Sequence, residues 1–515
     1  MSCTGGTVYL VGAGPGNPGL LTRRAAELLA RADLVLYDQL VPVRLLDFAA
    51  PSAERICVRE LPGKHPDKYP AIYDVMIARA RAGETVVRLK GGDPLVFGRG
   101  GEEAEALREA GVPYEIVPGV TAALAAAAFL DLPLTHRKHA SAVAFVTGHE
   151  LPNKPGQMLD WAALAKFPGT LAVYMGVSRL PLLVAELIKY GRSPAEPSCL
   201  VERASTGEMR SVSAPLGELD TARRQAGLEA PGLILVGPTV GLRHEPSWYE
   251  RKPLFGVRVL VTRPRHQAHE FMALLEDAGA VPLLLPGIAI REPADATAID
   301  AAIGDMADGQ YDWIAFTSAN GVHALTRRLT ATGRDVRVLG RVKIASVGAK
   351  TTFALRSVNL VPDLEPPSYS ATALAEALAV AAKGQLILQP RANVGKDTLK
   401  RRLAGIARVD DVTAYDQVEA VDPNHDAFAA LNRGEVQVMT LTSANIAKAV
   451  LGACDAVARG RIARGDVKLV TLGPDVASTV RDLGFPVAGV AAPSTDDGLL
   501  AAVVAAVGSR SSSAS

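Results

Sequence analysis

At 515 residues the chain is longer than one hydrophobic core of roughly 250–300 residues can serve, so at least two domains are expected. With 48% hydrophobic and 21% charged residues it has an ordinary globular composition, and a net charge of +1 excludes a broad basic face for nucleic acid while allowing a local basic pocket. Four scattered cysteines (Cys3, Cys57, Cys199, Cys454) fit neither a disulfide framework nor a zinc spacing. Together with the lack of a signal-peptide pattern and of any apolar run of ~18 residues, they predict a cytoplasmic protein with no membrane partner.

Short apolar runs alternate with longer helical-period segments from the start: VYLVG, then LLTRRAAELLARA, then DLVLYD. This rhythm predicts an α/β architecture with mostly parallel sheets. Between the first strand and the first helix lie Gly12, Gly14, Gly16 and Gly19. The last three satisfy G-x-G-x-x-G, and Asp38 ends the next strand, which read naively is a dinucleotide fold and an oxidoreductase. Pro15 and Pro18 count against that reading, because they remove backbone N–H groups a pyrophosphate would need. A second glycine loop follows a strand at Gly91, Gly92 and Asp93, with Gly98, Gly100 and Gly101 before a helix and Thr121 opening a run of small residues. Backbone without side chains can approach a ligand closely there.

Around residues 243–256 the rhythm breaks in RHEPSWYERKPLFG. The expected organisation is a first domain over 1–245, a linker over 246–255, a second domain over 256–508 and a disordered tail over 509–515. The second half repeats itself. Thr317-Ser318-Ala-Asn and Thr442-Ser443-Ala-Asn stand 125 residues apart, as do Gly348 and Gly473, so two similar α/β lobes facing one cleft are predicted. Neither half offers a metal-ligand cluster, and the second shows no nucleophile–base pair and no phosphate loop.

GAGPG, YDQLV, RLKGGDP, FGRGGEE, VPGVTAA, LPLTHR, VTGH, YMGVS, LVERAS and LILVG occur in that order over residues 7–243. This series resembles the tetrapyrrole methylases, and most of all uroporphyrinogen-III C-methyltransferase. VTRPRHQA, FTSANGVHAL, IASVGAK, VDDVTAYDQV, TLTSANIAKAV and TLGPDVASTV over 256–508 resemble uroporphyrinogen-III synthase. The resemblance implies a two-lobe methylase fold followed by a duplicated two-lobe synthase fold, with lobes of 256–291 plus 421–508 and of 292–420. It implies S-adenosylmethionine as methyl donor, with no metal and no NAD, and the tetrapyrroles hydroxymethylbilane and uroporphyrinogen III as substrates. A homodimer through the methyltransferase half is the assembly it allows.

By similarity the donor contacts Pro15, Gly91, Gly92, Asp93, Val96, Thr121, Ala122, Met175 and Ala204. Gly12, Gly14 and Gly16 then floor the tetrapyrrole side, with Arg99, Arg137 and Arg203 for its carboxylates. Asp38 resembles the family's general base, and Tyr415 a hydrogen-bond partner of the departing hydroxyl. Thr317, Ser318, Ser443, Gly473 and Pro474 fall on cleft loops. The chain departs from the family pattern where Gln39 replaces an arginine and Glu60 the lysine proposed as proton donor, leaving Lys64 as the candidate for that role. The function implied is a bifunctional enzyme that cyclises hydroxymethylbilane and twice methylates the product to precorrin-2. The alternative is a methyltransferase carrying a non-catalytic, tetrapyrrole-binding second half.

Overall fold

The computed structural model describes residues 6–62, 68–149, 158–395 and 397–508. The chain divides into two compact units, one running to Arg258 and including Leu274–Val281, the other formed by Val259–Ala273 with Pro282–Gly508.

The first unit holds two five-stranded sheets. Strands β1 (Thr7–Gly12), β2 (Leu34–Tyr37), β3 (Glu54–Cys57), β4 (Thr85–Lys90) and β5 (Tyr114–Val117) lie in the order β3-β2-β4-β1-β5, all parallel. Each strand but the last is followed by a crossover within the sheet, so both faces must be apolar. Val8, Leu10, Leu34, Leu36 and Val86 pack on one face against Ile72, Met76 and Leu107. Val11, Val35, Val87 and Leu89 pack on the other against Leu28, Leu29 and Leu45. The second sheet has β6 (Val143–Thr147), β7 (Thr170–Tyr174), β8 (Pro197–Glu202), β9 (Arg210–Pro215) and β10 (Gly232–Val236) in the order β6-β7-β10-β8-β9. Here only β6 and β7 are parallel, and the pairings of β10 with β7 and β8, and of β8 with β9, are antiparallel, a departure from the mostly parallel arrangement expected.

The stretch expected as a linker is part of this unit's core. Tyr249 is 2% and Leu254 0% exposed. The Tyr249 ring meets Phe129 edge-on at 4.7 Å, and the Trp248 indole N–H donates to the Ala128 carbonyl at 2.8 Å. The sequence signal there was charge and proline; the three aromatic residues among those charges decide the packing.

In the second unit the strands are β11 (Arg258–Val261), β12 (Val281–Leu284), β13 (Ile288–Arg291), β14 (Trp313–Phe316), β15 (Lys343–Ser346), β16 (Leu386–Ala392), β17 (Arg408–Glu419), β18 (Val438–Leu441), β19 (Lys468–Thr471) and β20 (Gly489–Val490). They form two sheets, β12-β11-β18-β19-β20 and β13-β17-β16-β14-β15. The expected lobe boundary at 291 moves forward to about residue 287, because β13 pairs antiparallel with β17 and so belongs to the second sheet.

Parallel strands end at one edge of their sheet, so the loops after β1, β4 and β5 meet. Three glycines allow them to meet closely. A methyl group on Gly119 would come within 2.2 Å of the Gly92 carbonyl oxygen, and one on Gly12 within 2.5 Å of Gly119 Cα. We expect Gly119→Ala to destabilise the first unit by about 1–3 kcal/mol, the range for overpacking. Gly101→Ala, in a helix and facing open space, should be neutral or stabilising by up to about 1 kcal/mol. Thermal melting of the two full-length variants checks the contrast in sign.

Candidate active sites

In the first unit the chemistry gathers at that carboxyl edge. The loop after β1 is laced to the loop after β4: Ala13 N–H donates to the Lys90 carbonyl at 2.7 Å, and Gly14 and Gly92 exchange N–H···O bonds of 3.1 and 2.8 Å. Gly14 and Gly92 stand at φ 72° and 68°, where a side chain would be strained. The glycine loop does not open an α-helix. Gly19 lies in the short 3₁₀ turn Pro18–Leu20, and the helix Arg23–Leu29 begins only after its own cap, Thr22. Pro15 is half-buried in this loop, and Gly12 and Gly16 are buried.

Asp93 has both carboxylate oxygens engaged by backbone, Oδ1 accepting from Leu95 N–H at 2.8 Å and Oδ2 from Gly119 N–H at 3.0 Å. It thereby ties the β4 loop, with half-buried Val96, to the β5 loop. Thr121 caps the helix Ala122–Phe129, and its hydroxyl shares a 2.7 Å bond with the Tyr174 hydroxyl, which also accepts from Ala123 N–H at 3.0 Å. Tyr174 ends β7, so this contact joins the two sheets of the unit at the Thr121–Ala122 turn; burial raises its phenol above the ordinary value.

Backbone strain marks the same loops. Among the described residues seven non-glycines have positive φ, and five of them are Phe97, Arg99, Met175, Arg203 and Ser205. Met175 follows β7, and Arg203 and Ser205 flank Ala204 after β8. Such residues persist where the surroundings over-determine them, typically at ligand sites. The Ser205 hydroxyl is buried with no hydrogen-bond partner.

Asp38 follows β2 with its side chain 32% exposed. Its Oδ1 accepts from Arg88 Nη2 at 2.5 Å. Behind Arg88 stand Glu103, whose Oε1 is 3.0 Å from Arg88 Nε, and Lys90, whose Nζ is 2.8 Å from the same oxygen. Burial, and after it the neighbouring Arg88 charge, lower Lys90 below the ordinary lysine value. The sequence reading missed this group: in RLKGGDP and GRGGEE nothing marks which charges turn inward.

Arg99 pairs with Glu102 and lies 3.4 Å over the centre of the Tyr69 ring. Arg203 pairs with Glu208. Arg137 is exposed beside the His136–His139 pair, and among the described residues no hydrogen bond or ion pair joins it to the strand-end loops. Lys64 lies outside the described residues, whereas Glu60 ends an exposed 3₁₀ turn after β3.

In the second unit the sequence repeat resolves into a strand–cap–helix device. Ser318 and Ser443 are the N-caps of Ala319–Ala331 and Ala444–Ala453, accepting from Gly321 and Ile446 N–H at 3.1 and 3.3 Å. Gly348 and Gly473 cap Ala349–Ser357 and Pro474–Asp482, with Pro474 in the first turn. Thr317 lies 3.5 Å from Gln389 Nε2. Tyr415 is 6% exposed, and its hydroxyl is 3.0 Å from Ser318 Oγ. Its burial raises the phenol above the ordinary value.

One cluster here was not foreseen. Arg263 Nη1 and Nη2 donate to Asp496 at 2.9 and 2.8 Å, and Lys350 Nζ donates to Asp496 Oδ1 at 2.8 Å. The carboxylate thus joins an arginine after β11 to a lysine from the helix after β15. Burial opposes its charge, but the two cations hold Asp496 below the usual carboxylate range. Among the described residues, no group of three or more His, Cys, Asp or Glu is arranged to hold a metal. No described helix is long and apolar enough to cross a membrane.

The sequence model of the tetrapyrrole (corrin/porphyrin) methylases matches residues 7–220, and that of uroporphyrinogen-III synthase HemD matches residues 269–501. The porphyrin biosynthesis protein HemD of Ruminiclostridium josui is 34% identical over 443 residues, covering 85% of this chain and 87% of that protein. The uroporphyrinogen-III C-methyltransferase of Bacillus subtilis (strain 168) is 38% identical over 364 residues, covering 70% and 74%. The crystal structure of the Thermus thermophilus uroporphyrin-III C-methyl transferase complexed with S-adenyl homocysteine is 44% identical, covering 46% of this chain and 94% of that one, with a TM-score of 0.39. With one relative matching across both halves, the chain belongs to the tetrapyrrole methylases in its first part and to the uroporphyrinogen-III synthase HemD family in its second.

Proposed function

We propose that the second unit closes hydroxymethylbilane to uroporphyrinogen III with inversion of ring D, and that the first unit methylates that product twice with S-adenosylmethionine to give precorrin-2. The observation that carries this reading is the occurrence of both family patterns in one polypeptide, because the product of one is the substrate of the other.

The first unit fits a methyl donor on its own geometry. Gly91 faces open space, with no atom within 4 Å of where a Cβ would stand, and the orphaned Ser205 hydroxyl offers an unused polar contact beside Ala204. Gly91, Gly92, Asp93, Val96, Thr121, Ala122, Met175 and Ala204, with Pro15 at the edge, would hold the donor. When bound it supplies an electrophilic methyl group on a sulfonium. Transfer of that methyl to a pyrrole carbon of the substrate would leave the ring N–H acidic. The pyrrole N–H then loses its proton, and Asp38 is the acceptor. Arg99, Arg137 and Arg203 would meet substrate carboxylates, as bidentate arginine suits them.

In the second unit the chain's task is to fold a flexible polyanion so that one carbon is attacked in preference to another, which is positioning. Tyr415, its hydroxyl set by Ser318, would hydrogen-bond the departing hydroxyl. Thr317, Ser318, Ser443, Gly473 and Pro474 line the strand ends that would receive the chain.

Incubating the full-length chain with hydroxymethylbilane should yield uroporphyrinogen III. Adding labelled S-adenosylmethionine should add two methyl groups, read by mass. Formation of isomer I alone would leave the second unit as a binding module.

Asp38→Asn should slow methyl transfer at least roughly tenfold, within the ~10²–10⁴ span of general catalysis, with isomer III formation unchanged. A parental methylation rate would make Asp38 a strand-end residue without chemistry. Tyr415→Phe should slow ring closure by up to about tenfold, the worth of one hydrogen bond, without abolishing it. Steady-state rates of isomer III formation check this, and complete loss would mean the hydroxyl does more than assist departure.

A further inference from the structure

We propose that Arg88 is a positioning residue for methyl transfer: clamped from behind by the buried Glu103, it fixes the Asp38 carboxylate for proton acceptance. The proposal rests on the reading of Asp38 as the proton acceptor.

Strand β4 alternates, so residues 86, 88 and 90 share one face of its sheet. Val86 packs in the apolar layer there with Leu10, Leu36 and Leu107. The face then changes character, since Arg88 and Lys90 are each 2% exposed and Glu103, on the covering helix Gly100–Glu109, is 0% exposed. Both cations bind one oxygen, Glu103 Oε1, at 3.0 and 2.8 Å, while Oε2 has no partner. With Asp38 the four groups sum to zero charge, and Asp38, 32% exposed, is the member open to solvent.

Stability does not account for this arrangement. Desolvating charges is costly, and well-packed apolar residues at such positions are often neutral or better. What the quartet achieves is geometric. A guanidinium can bond two carboxylates on different elements at once, and an ammonium at the same place cannot reproduce that fork. Arg88 uses Nε on Glu103 and Nη2 on Asp38. Its Nη1 also reaches the Leu36 and Leu89 carbonyls at 3.4 and 3.3 Å, which locks the plane of the fork. Asp38 Oδ1 is thereby pinned, and no described hydrogen bond engages Oδ2, the oxygen left to accept a proton. Lys90 immediately precedes Gly91, so the strand that orients Asp38 also sets the glycine loop of the donor site. A carboxylate oriented before the substrate arrives needs no reorganisation during the reaction.

The experiment uses the full-length chain with Asp38→Asn, Arg88→Lys, Glu103→Gln and the double variant Asp38→Asn/Arg88→Lys. Donor affinity by calorimetry and melting report folding. Arg88→Lys should lower kcat for methyl transfer about tenfold to a hundredfold, leaving KM for uroporphyrinogen III and donor affinity within about threefold. Glu103→Gln should shift kcat the same way by a smaller factor. The double variant should be as slow as Asp38→Asn alone, because a residue that acts through Asp38 has nothing to act on once that carboxylate is gone. Two independent, multiplying effects would overturn the proposal. So would a parental kcat in Arg88→Lys beside an impaired Asp38→Asn, which leaves the proton-acceptor reading standing. Loss of fold or of donor binding in both Arg88→Lys and Glu103→Gln would assign the quartet to stability and overturn it as well. A parental rate in Asp38→Asn would instead strike the underlying reading.

Discussion

The first unit depends on three backbones coming closer than side chains permit. Gly12, Gly92 and Gly119 end or follow parallel strands, and their mutual approach leaves no room for a Cβ at Gly12 or Gly119. The meeting of the loops after β1, β4 and β5 hangs on that seam. It brings the loop after β1 within hydrogen-bonding distance of the loop after β4, lets Asp93 reach Gly119, and sets Thr121 at the head of its helix under Tyr174. The glycines are there for packing between loops, and a phosphate cradle is not needed to explain them.

The second unit solves a related problem with a different device. Instead of glycine seams it uses serine and glycine caps at the strand ends, repeated in both sheets. A serine cap satisfies helix N–H groups locally, so the strand-end loops can stay short and polar without unsatisfied donors. Tyr415 is then buried against one cap, Ser318, while the copy at Ser443 has no described tyrosine bond. The duplication holds in the strand–cap–helix device but not throughout the scaffold, since among the described residues the antiparallel edge strand β13 occurs in one sheet only, and it is broken again at Tyr415.

What could be read from the sequence was local or repeated. The α/β alternation, the two glycine loops and the 125-residue repeat all rest on short-range patterns, and the structure gives each a physical meaning as a strand end, a loop crossing or a helix cap. What could not be read depends on partners far apart in the chain. Glu103 and Arg88 look like two more surface charges in sequence, and only the packing of Gly100–Glu109 over β4 turns them inward. The positive φ of Met175 and Arg203 has no sequence signal, because neither residue favours that region. The stretch around Tyr249 was read as a linker from its charges, although Trp248, Tyr249 and Phe255 carried enough apolar surface to pack. Strand β13 fell on the wrong side of the expected lobe boundary because a four-residue strand does not announce which sheet it joins.

The junction at Asp496 has a consequence for acid behaviour. One carboxylate holds an arginine after β11 and a lysine after β15, so the helices of both sheets share a single ionisable clasp. Its folded-state value is depressed below the ordinary 3.8. The stabilisation it contributes is therefore complete above that value and is lost as pH falls through the depressed one. Protonation would then leave Arg263, 4% exposed, as a buried cation facing a neutral acid. Mild acidity leaves this clasp charged, and strong acidity removes its contribution between the helix Asp496–Val507 and the helix Ala349–Ser357.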